Sequence, residues 1–255
     1  MKHPIRALLL GGAMAILAAC GGGGPVLNAP PPPKPQPPPA QPEFHFHDQA
    51  PRAEHLPYDA QDQARPLVSP EGHRDSAAVF VYADRGNRMY VLLGRRGKSL
   101  SLPGTWGVFQ GSVEETDLDA TGRMSFARAA EHELYEESVT VYHDTDANAL
   151  RACRAYTREY RSGLRTRTFF LRRPYLPESL FNDGYAYAAG HRKPHRFLEN
   201  DQFRWVLLED LLACGQAMAT FQDVAGVRHP MTLYQPFYDL VHGDHHYRAH
   251  LRDLR

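Results

Sequence analysis

A chain of 255 residues with 42% hydrophobic content holds enough apolar material for one sizeable core, and its length allows one or two domains. Lysine plus arginine and aspartate plus glutamate number 29 each. That balance excludes a global pull toward nucleic acid, so no nucleic-acid partner is expected and phosphate chemistry must rest on local charge.

Residues 1–20 read as an export signal: Lys2 and Arg6 precede an apolar run over 7–17 that is too short for a comfortable membrane span. The run ends Leu17-Ala18-Ala19-Cys20, which resembles the lipobox of bacterial lipoproteins. The resemblance implies that Cys20 is acylated, as with palmitate, and becomes the mature N-terminus of a protein held to a cell membrane by lipid. Gly21 follows where an aspartate would retain the protein, which by the same resemblance implies the periplasmic face of the outer membrane. An ordinary cleaved signal and an uncleaved anchor stay open. Cys153 and Cys214 are the remaining cysteines. An oxidising compartment allows them to pair, but two separate buried thiols are expected.

Residues 21–75 read as a disordered glycine- and proline-rich linker. Proline dominates 30–42, and at about 3.1 Å per residue such a polyproline stretch reaches roughly 40 Å. Phe44-His45-Phe46-His47-Asp48 reads as a polar patch in this linker, with weak metal binding as the alternative. Removing residues 21–70 is expected to leave the domain folded.

The domain is expected over 76–255. Apolar runs at 77–82 and 89–93 flank Arg85-Gly86-Asn87 and predict a hairpin. Residues 102–107 break the pattern and 108–113 lead onward. Phe126, Ala130 and Leu134 recur every four residues and predict a helix over 125–139. Strands follow at 152–160 and 166–171, then a long connection over 174–200, a strand at 203–208, and helices at 210–218 and 234–241. This order predicts one α/β domain of the α+β kind.

Within the predicted helix, Glu133, Glu136 and Glu137 are spaced i, i+3 and i+4 and share one face. Crowded carboxylates are what a hard cation such as Mg²⁺ needs. A solvated acidic face fits the same triplet. Around it stand Leu102-Pro103-Gly104-Thr105-Trp106-Gly107, Gln110-Gly111-Ser112-Val113-Glu114 and Ala129-Ala130-Glu131-His132-Glu133-Leu134-Tyr135-Glu136-Glu137. In order and content these resemble the Nudix hydrolase family. Tyr90 to Arg96 and Phe203 to Leu211 are similar to its flanking elements, and the resemblance covers about residues 76–245.

The resemblance implies a mixed sheet sandwiched between helices and divalent-metal-dependent hydrolysis of a diphosphate linkage, as in a nucleoside diphosphate joined to a second group. It implies Mg²⁺ or Mn²⁺ on Glu133, Glu136 and Glu137, with Glu114 or Glu115 assisting, and Glu199 or Glu133 as the base. Glu178 is a weaker candidate. Tyr156 falls where some dinucleoside polyphosphate hydrolases of the family carry a tyrosine; core packing is the simpler account. Trp106, Arg95, Tyr185, Arg192, Lys193 and Arg196 are the expected substrate contacts, since aromatics stack and cations hold phosphate. The sequence departs from the family at three places. His132 replaces an arginine and can orient carboxylates only when protonated or through one hydrogen bond. Val139 replaces a glycine, so the helix end is expected to be built differently. Residues 116–122 read as a flexible loop insertion. These changes also fit a non-catalytic module that binds a ligand or an envelope protein. His242, His246 and His250 recur every four residues; a polar terminal helix is expected, with a transition-metal face as the alternative.

Overall fold

The computed structural model describes residues 42–50, 55–69 and 72–254. The chain divides into two units, 1–40 and 41–255, and all described residues belong to the second. The export signal, Cys20, the glycine hinge and nearly all of the proline-rich stretch lie outside the described residues.

A seven-stranded mixed sheet forms the centre. Its main path runs β3 (Trp106–Gly107), β2 (Arg88–Arg96), β1 (Ser76–Arg85), β6 (Arg165–Arg172) and β5 (Arg154–Glu159). β4 (Phe109–Ser112) pairs antiparallel with the start of β1, and β7 (Asn200–Leu207) pairs antiparallel with β2. β1 and β6 run parallel. The predicted hairpin is present: β1 and β2 join through Gly86 (φ 60°) and Asn87 (φ 61°), the paired left-handed residues of a type I′ turn.

The central strands are apolar on both faces because both faces are covered. Val79, Val81, Tyr90, Leu92 and Phe169 point into one core, and Phe80, Val91, Leu93 and Phe170 into the other. The first core is roofed by α1 (Phe126–Glu137), α2 (Ala147–Arg151) and α3 (Glu178–Gly190). The second is roofed by α4 (Leu208–Ala213), α5 (Gln235–Gly243), α6 (His245–Arg252) and the hairpin β8 (Met218–Gln222)–β9 (Arg228–Thr232). The expected mixed sheet between helical layers is therefore what the chain forms. Cys153 packs against the first core and Cys214 against the second, so the two free thiols lie on opposite faces of the sheet.

Several local expectations are corrected. Residues 42–50 and 55–69 are not a bare spacer. Leu56 is fully buried in the first core, and Phe44 and Phe46 pack against it. Asp62, also fully buried, accepts hydrogen bonds from the Ala127 amide (2.8 Å), the Ser125 hydroxyl (2.5 Å) and Arg151 (2.7 Å), and so caps α1 from outside the predicted domain. The domain thus begins before residue 76. Composition hides this, because a few apolar anchors in a polar, proline-rich stretch leave it looking like a segment with too little to bury. About half of the connection over 174–200 is helix α3, and His195–Leu198 form a short 3-10 turn before β7. Residues 210–218 divide between α4 and the start of β8. Asp244 interrupts the C-terminal histidine series: His242 lies on α5 beside Leu211 and Cys214, whereas His246 and His250 lie on α6, so the three do not share one helix face.

Candidate active site

α1 carries the chemistry, and its ends fix its place. Ser125 caps the start, its hydroxyl accepting from the Arg128 amide (3.2 Å). The end is a Schellman closure: the Thr140 amide donates to the Tyr135 carbonyl (2.8 Å) and the Val139 amide to the Glu136 carbonyl (3.1 Å). Val139 takes φ 53° there. The expectation that valine forces a different ending is wrong, for valine itself occupies the left-handed position. Its burial at 1% exposure, with its Cβ against Gly184 of α3, supplies the compensating packing.

The apolar face of α1 buries Phe126, Ala130 and Leu134 against β1, which turns Glu133, Glu136 and Glu137 toward β4 and the loop after it. The Gln110 amide donates to Glu137 Oε2 (2.7 Å). A Cβ on Gly111 would stand 1.9 Å from Glu133 Oε1, so any larger residue there would displace that carboxylate. These groups line a cavity of about 1070 Å³, ample for a small-molecule ligand.

The cavity is strongly acidic. Asp48, Glu114, Asp117, Glu133, Glu136, Glu137 and Glu199 line it, against Arg196 and His132. Burial pushes the Glu133 carboxyl well above the ordinary carboxylate range, and Glu137, Glu136 and Glu199 push it further. Burial, then the charge of Glu199, raises Glu137 as well. Burial raises Glu136 against the opposing pull of Arg196, whose Nε lies 3.1 Å from Glu136 Oε1. Burial raises Glu199, opposed by His195 and Arg96. The Asp117 carboxylate beside it raises His132, with Nδ1 2.6 Å from Oδ1.

The other expected site residues scatter. Glu115 is exposed and pairs with Arg74 (3.4 Å). Trp106 is buried in the second core, on the far face of the sheet, because alternation along the strand turns it away from α1. Arg95 pairs with Asp201 (2.6 Å). Tyr185 packs on the first core. Arg192 is exposed, and Lys193 reaches Asp48 (2.5 Å). Of the six expected substrate contacts, only Arg196 lines the cavity. Glu178 accepts from the Trp205 amide (2.7 Å) and has a structural partner. Tyr156 donates to Asp244 (2.8 Å), tying β5 to the C-terminal helices. Asp48, Gln49 and Asp117 also line the cavity, and sequence reasoning misses all three. Their only signal in the sequence is polarity within stretches that read as linker and loop.

No known protein-family profile matches the chain, and no curated protein matches it. Solved structures similar to it include Nudix hydrolases. One is RenU, a Nudix hydrolase from M. smegmatis: 15% identity, 74% of this chain and 92% of that one covered, TM-score 0.36. Another is a NUDIX hydrolase from Alicyclobacillus acidocaldarius: 18% identity, 55% and 81% covered, TM-score 0.34. A third is a binary complex of the C. elegans Ap4A hydrolase: 16% identity, 54% and 83% covered, TM-score 0.33.

Among the described residues, no three His, Cys, Asp or Glu side chains converge as a ready-made metal cage. The donor set nonetheless suits a hard divalent cation. The neighbours that raise Glu133 are all carboxylates, and the helix acids share one cavity with one guanidinium. Like charges with no cation between them stand apart or take up protons.

Proposed function

We propose that this domain hydrolyses a diphosphate linkage with the help of Mg²⁺ or Mn²⁺. The observation that carries the reading is that Glu133, Glu136 and Glu137 line one cavity together with Glu114 and Glu199. Glu133, Glu136 and Glu137 would hold the cation, with Glu114 assisting from the facing loop; Glu115 points elsewhere. The ion would neutralise phosphate charge and acidify a water molecule. Arg196, whose Nε lies 3.1 Å from Glu136 Oε1, would hold a phosphate oxygen of the substrate. Glu199, half-buried and with its affinity for protons raised, takes the proton of the attacking water; Glu133 is the alternative base. The substrate is a small diphosphate compound of the nucleoside diphosphate type.

The test is turnover of a panel of diphosphates by the full-length protein with Mg²⁺ or Mn²⁺, beside Glu136→Gln. Turnover that the variant abolishes supports the reading. Absence of divalent binding to either form overturns it. A second reading, a degenerate Nudix-like module that binds a ligand or an envelope protein, is favoured by the Arg196–Glu136 ion pair, which already occupies one helix carboxylate. Divalent binding without turnover on any diphosphate would establish that reading instead.

We further propose that Cys20 is lipidated and anchors the domain to the cell membrane, at the periplasmic face of the outer membrane. The support is the run Leu17-Ala18-Ala19-Cys20-Gly21 after a charged, apolar start. Among the described residues no helix is long and apolar enough to cross a membrane. Cys20→Ser should move the protein out of the membrane fraction. An unmodified Cys20 in the intact mass of the wild type would overturn the anchor.

A further inference from the structure

The opposite edges of the large sheet are finished differently. At one edge lies β7, and α3 covers its outward amides: Trp205 donates to Glu178 Oε1 (2.7 Å) and Phe203 to Asn182 Oδ1 (3.2 Å). At the other edge lies β5, which pairs with β6 alone. The Tyr160 amide donates to the Leu164 carbonyl (2.8 Å) at the β5–β6 turn. By the alternation of an antiparallel ladder, Arg154, Tyr156 and Arg158 then bond inward to β6, and Ala155, Thr157 and Glu159 turn their N–H and C=O groups outward. Among the described residues no hydrogen bond reaches those outward backbone groups. The strand carries neither proline nor bulge, two of the usual guards of an open edge. Its charged side chains are the guard that remains. Tyr160 (39% exposed) and Leu67 (43%) add apolar surface at the turn, where Leu67 lies beside Gly163.

We propose that β5 is a docking edge for a second copy of this chain, paired antiparallel about a two-fold axis through Thr157. A two-fold contact places the same strand on both sides, and ladder bonds need outward residues opposite outward residues. Centred on Tyr156, that rule sets Arg154 against the partner's Arg158. Centred on Arg158, it sets Arg158 against its own copy. Like charges directly opposite destabilise a strand pair. Centred on Thr157, Ala155 meets the partner's Glu159, Arg158 meets the partner's Tyr156, and Arg154 meets the partner's Tyr160. A guanidinium over an aromatic ring is a favourable contact, and within one chain Arg158 already lies 4.9 Å from the Tyr160 ring centre. Asp253 holds Arg154 (3.0 Å) and Asp244 lies 3.9 Å from Arg158, so α6 steadies both arginines on that face. The charges that guard the edge therefore select this register.

The test is sedimentation velocity of the full-length protein in density-matched detergent, over a concentration series, beside Thr157→Pro. Proline at this position removes an outward N–H and leaves the β5–β6 bonds in place. The wild type should show a monomer–dimer equilibrium, and Thr157→Pro should weaken it about tenfold or more, since each copy loses a bond at the axis. A wild type that stays monomeric at every concentration overturns the proposal. So does a folded Thr157→Pro that dimerises within about twofold of wild type, which would place the contact on another face. If Thr157→Pro does not fold, cysteine cross-linking decides. Residues paired across a ladder at the axis lie about 5.5 Å apart at Cα, within disulfide reach. Thr157→Cys should therefore form a disulfide-linked dimer under mild oxidation, well above the level that Cys153 and Cys214 give in the wild type. Cross-linking no greater than wild type overturns the pairing, and stronger cross-linking in Arg158→Cys than in Thr157→Cys overturns the register.

Discussion

Val139 shows a conflict resolved inside one residue. A left-handed conformation costs an L-residue about 1–2 kcal/mol. Burying a valine side chain contributes about 1.5–3 kcal/mol. Glycine at the same position would remove the strain, lose the packing against Gly184, and add about 0.5–1 kcal/mol of backbone entropy to be lost on folding. Val139→Gly is therefore expected to destabilise the protein by about 1 kcal/mol. Urea denaturation should show a lower midpoint at unchanged slope; a raised midpoint would mean that strain outweighs packing here. The acids of α1 give a second prediction. A cation bound only by the native state stabilises it by mass action, by about 2.7 kcal/mol at one hundred times its dissociation constant. Millimolar Mn²⁺ should raise the melting temperature of the wild type beyond the effect of matched NaCl. Glu136→Gln should keep its metal-free stability and lose most of that gain. Equal shifts in both proteins would return the triplet to a solvated acidic face.

The N-terminal segment reads as linker in sequence and behaves as two structural pieces. Residues 55–69 supply buried Leu56 and the Asp62 cap of α1. Asp62→Ala leaves Arg151, a largely buried guanidinium, without its carboxylate and is expected to cost about 3 kcal/mol. Deleting residues 1–69 should lower the melting temperature by more than about 10 °C, at roughly 2–4 °C per kcal/mol for a domain of this size. Deleting only 1–41 should leave it near wild type, and indifference to both deletions would show that the segment contributes nothing.

Residues 44–48 form a strap beside the cavity. Phe46 stacks on Tyr187 (5.2 Å), the Tyr135 hydroxyl donates to the His47 carbonyl, the His47 amide donates to Thr140 Oγ1 (3.2 Å), and Lys193 holds Asp48 (2.5 Å). The His47 ring lies 3.3 Å from that of His143, while Asp144 is engaged by Arg173. Burial, then His143 and His45, lowers the affinity of His47 for a proton. The released strap therefore binds protons more tightly than the docked one. Docking is complete above the ordinary histidine value of about 6.5 and weakens as pH falls below it. Hydrogen exchange over 42–50 should be faster at pH 5.5 than at 7.5 after correction for intrinsic rates, and His47→Gln should remove the difference. Equal protection at both pH values would contradict this account.

At the scale of the whole molecule, sequence alone determined what depends on neighbours along the chain. Period and turn chemistry yielded the β1–β2 hairpin, the β5–β6 pair and the three-acid face of α1, because alternation and the helical repeat are local properties. The family resemblance and local charge marked Glu199 and Arg196, which do line the cavity. Only the tertiary structure decided the rest. Trp106 and Arg95 belong to the same series of motifs as the acids, but the sheet separates Trp106 from them, since successive strand residues face opposite sides. Asp62, Asp48 and Asp117 sit in stretches whose average composition reads as linker or loop, and each acts through bonds to residues distant in the chain or on another element. A pairing such as Asp62 to Ala127 spans 65 positions and leaves no periodic trace. It exists only once the sheet has set where α1 lies.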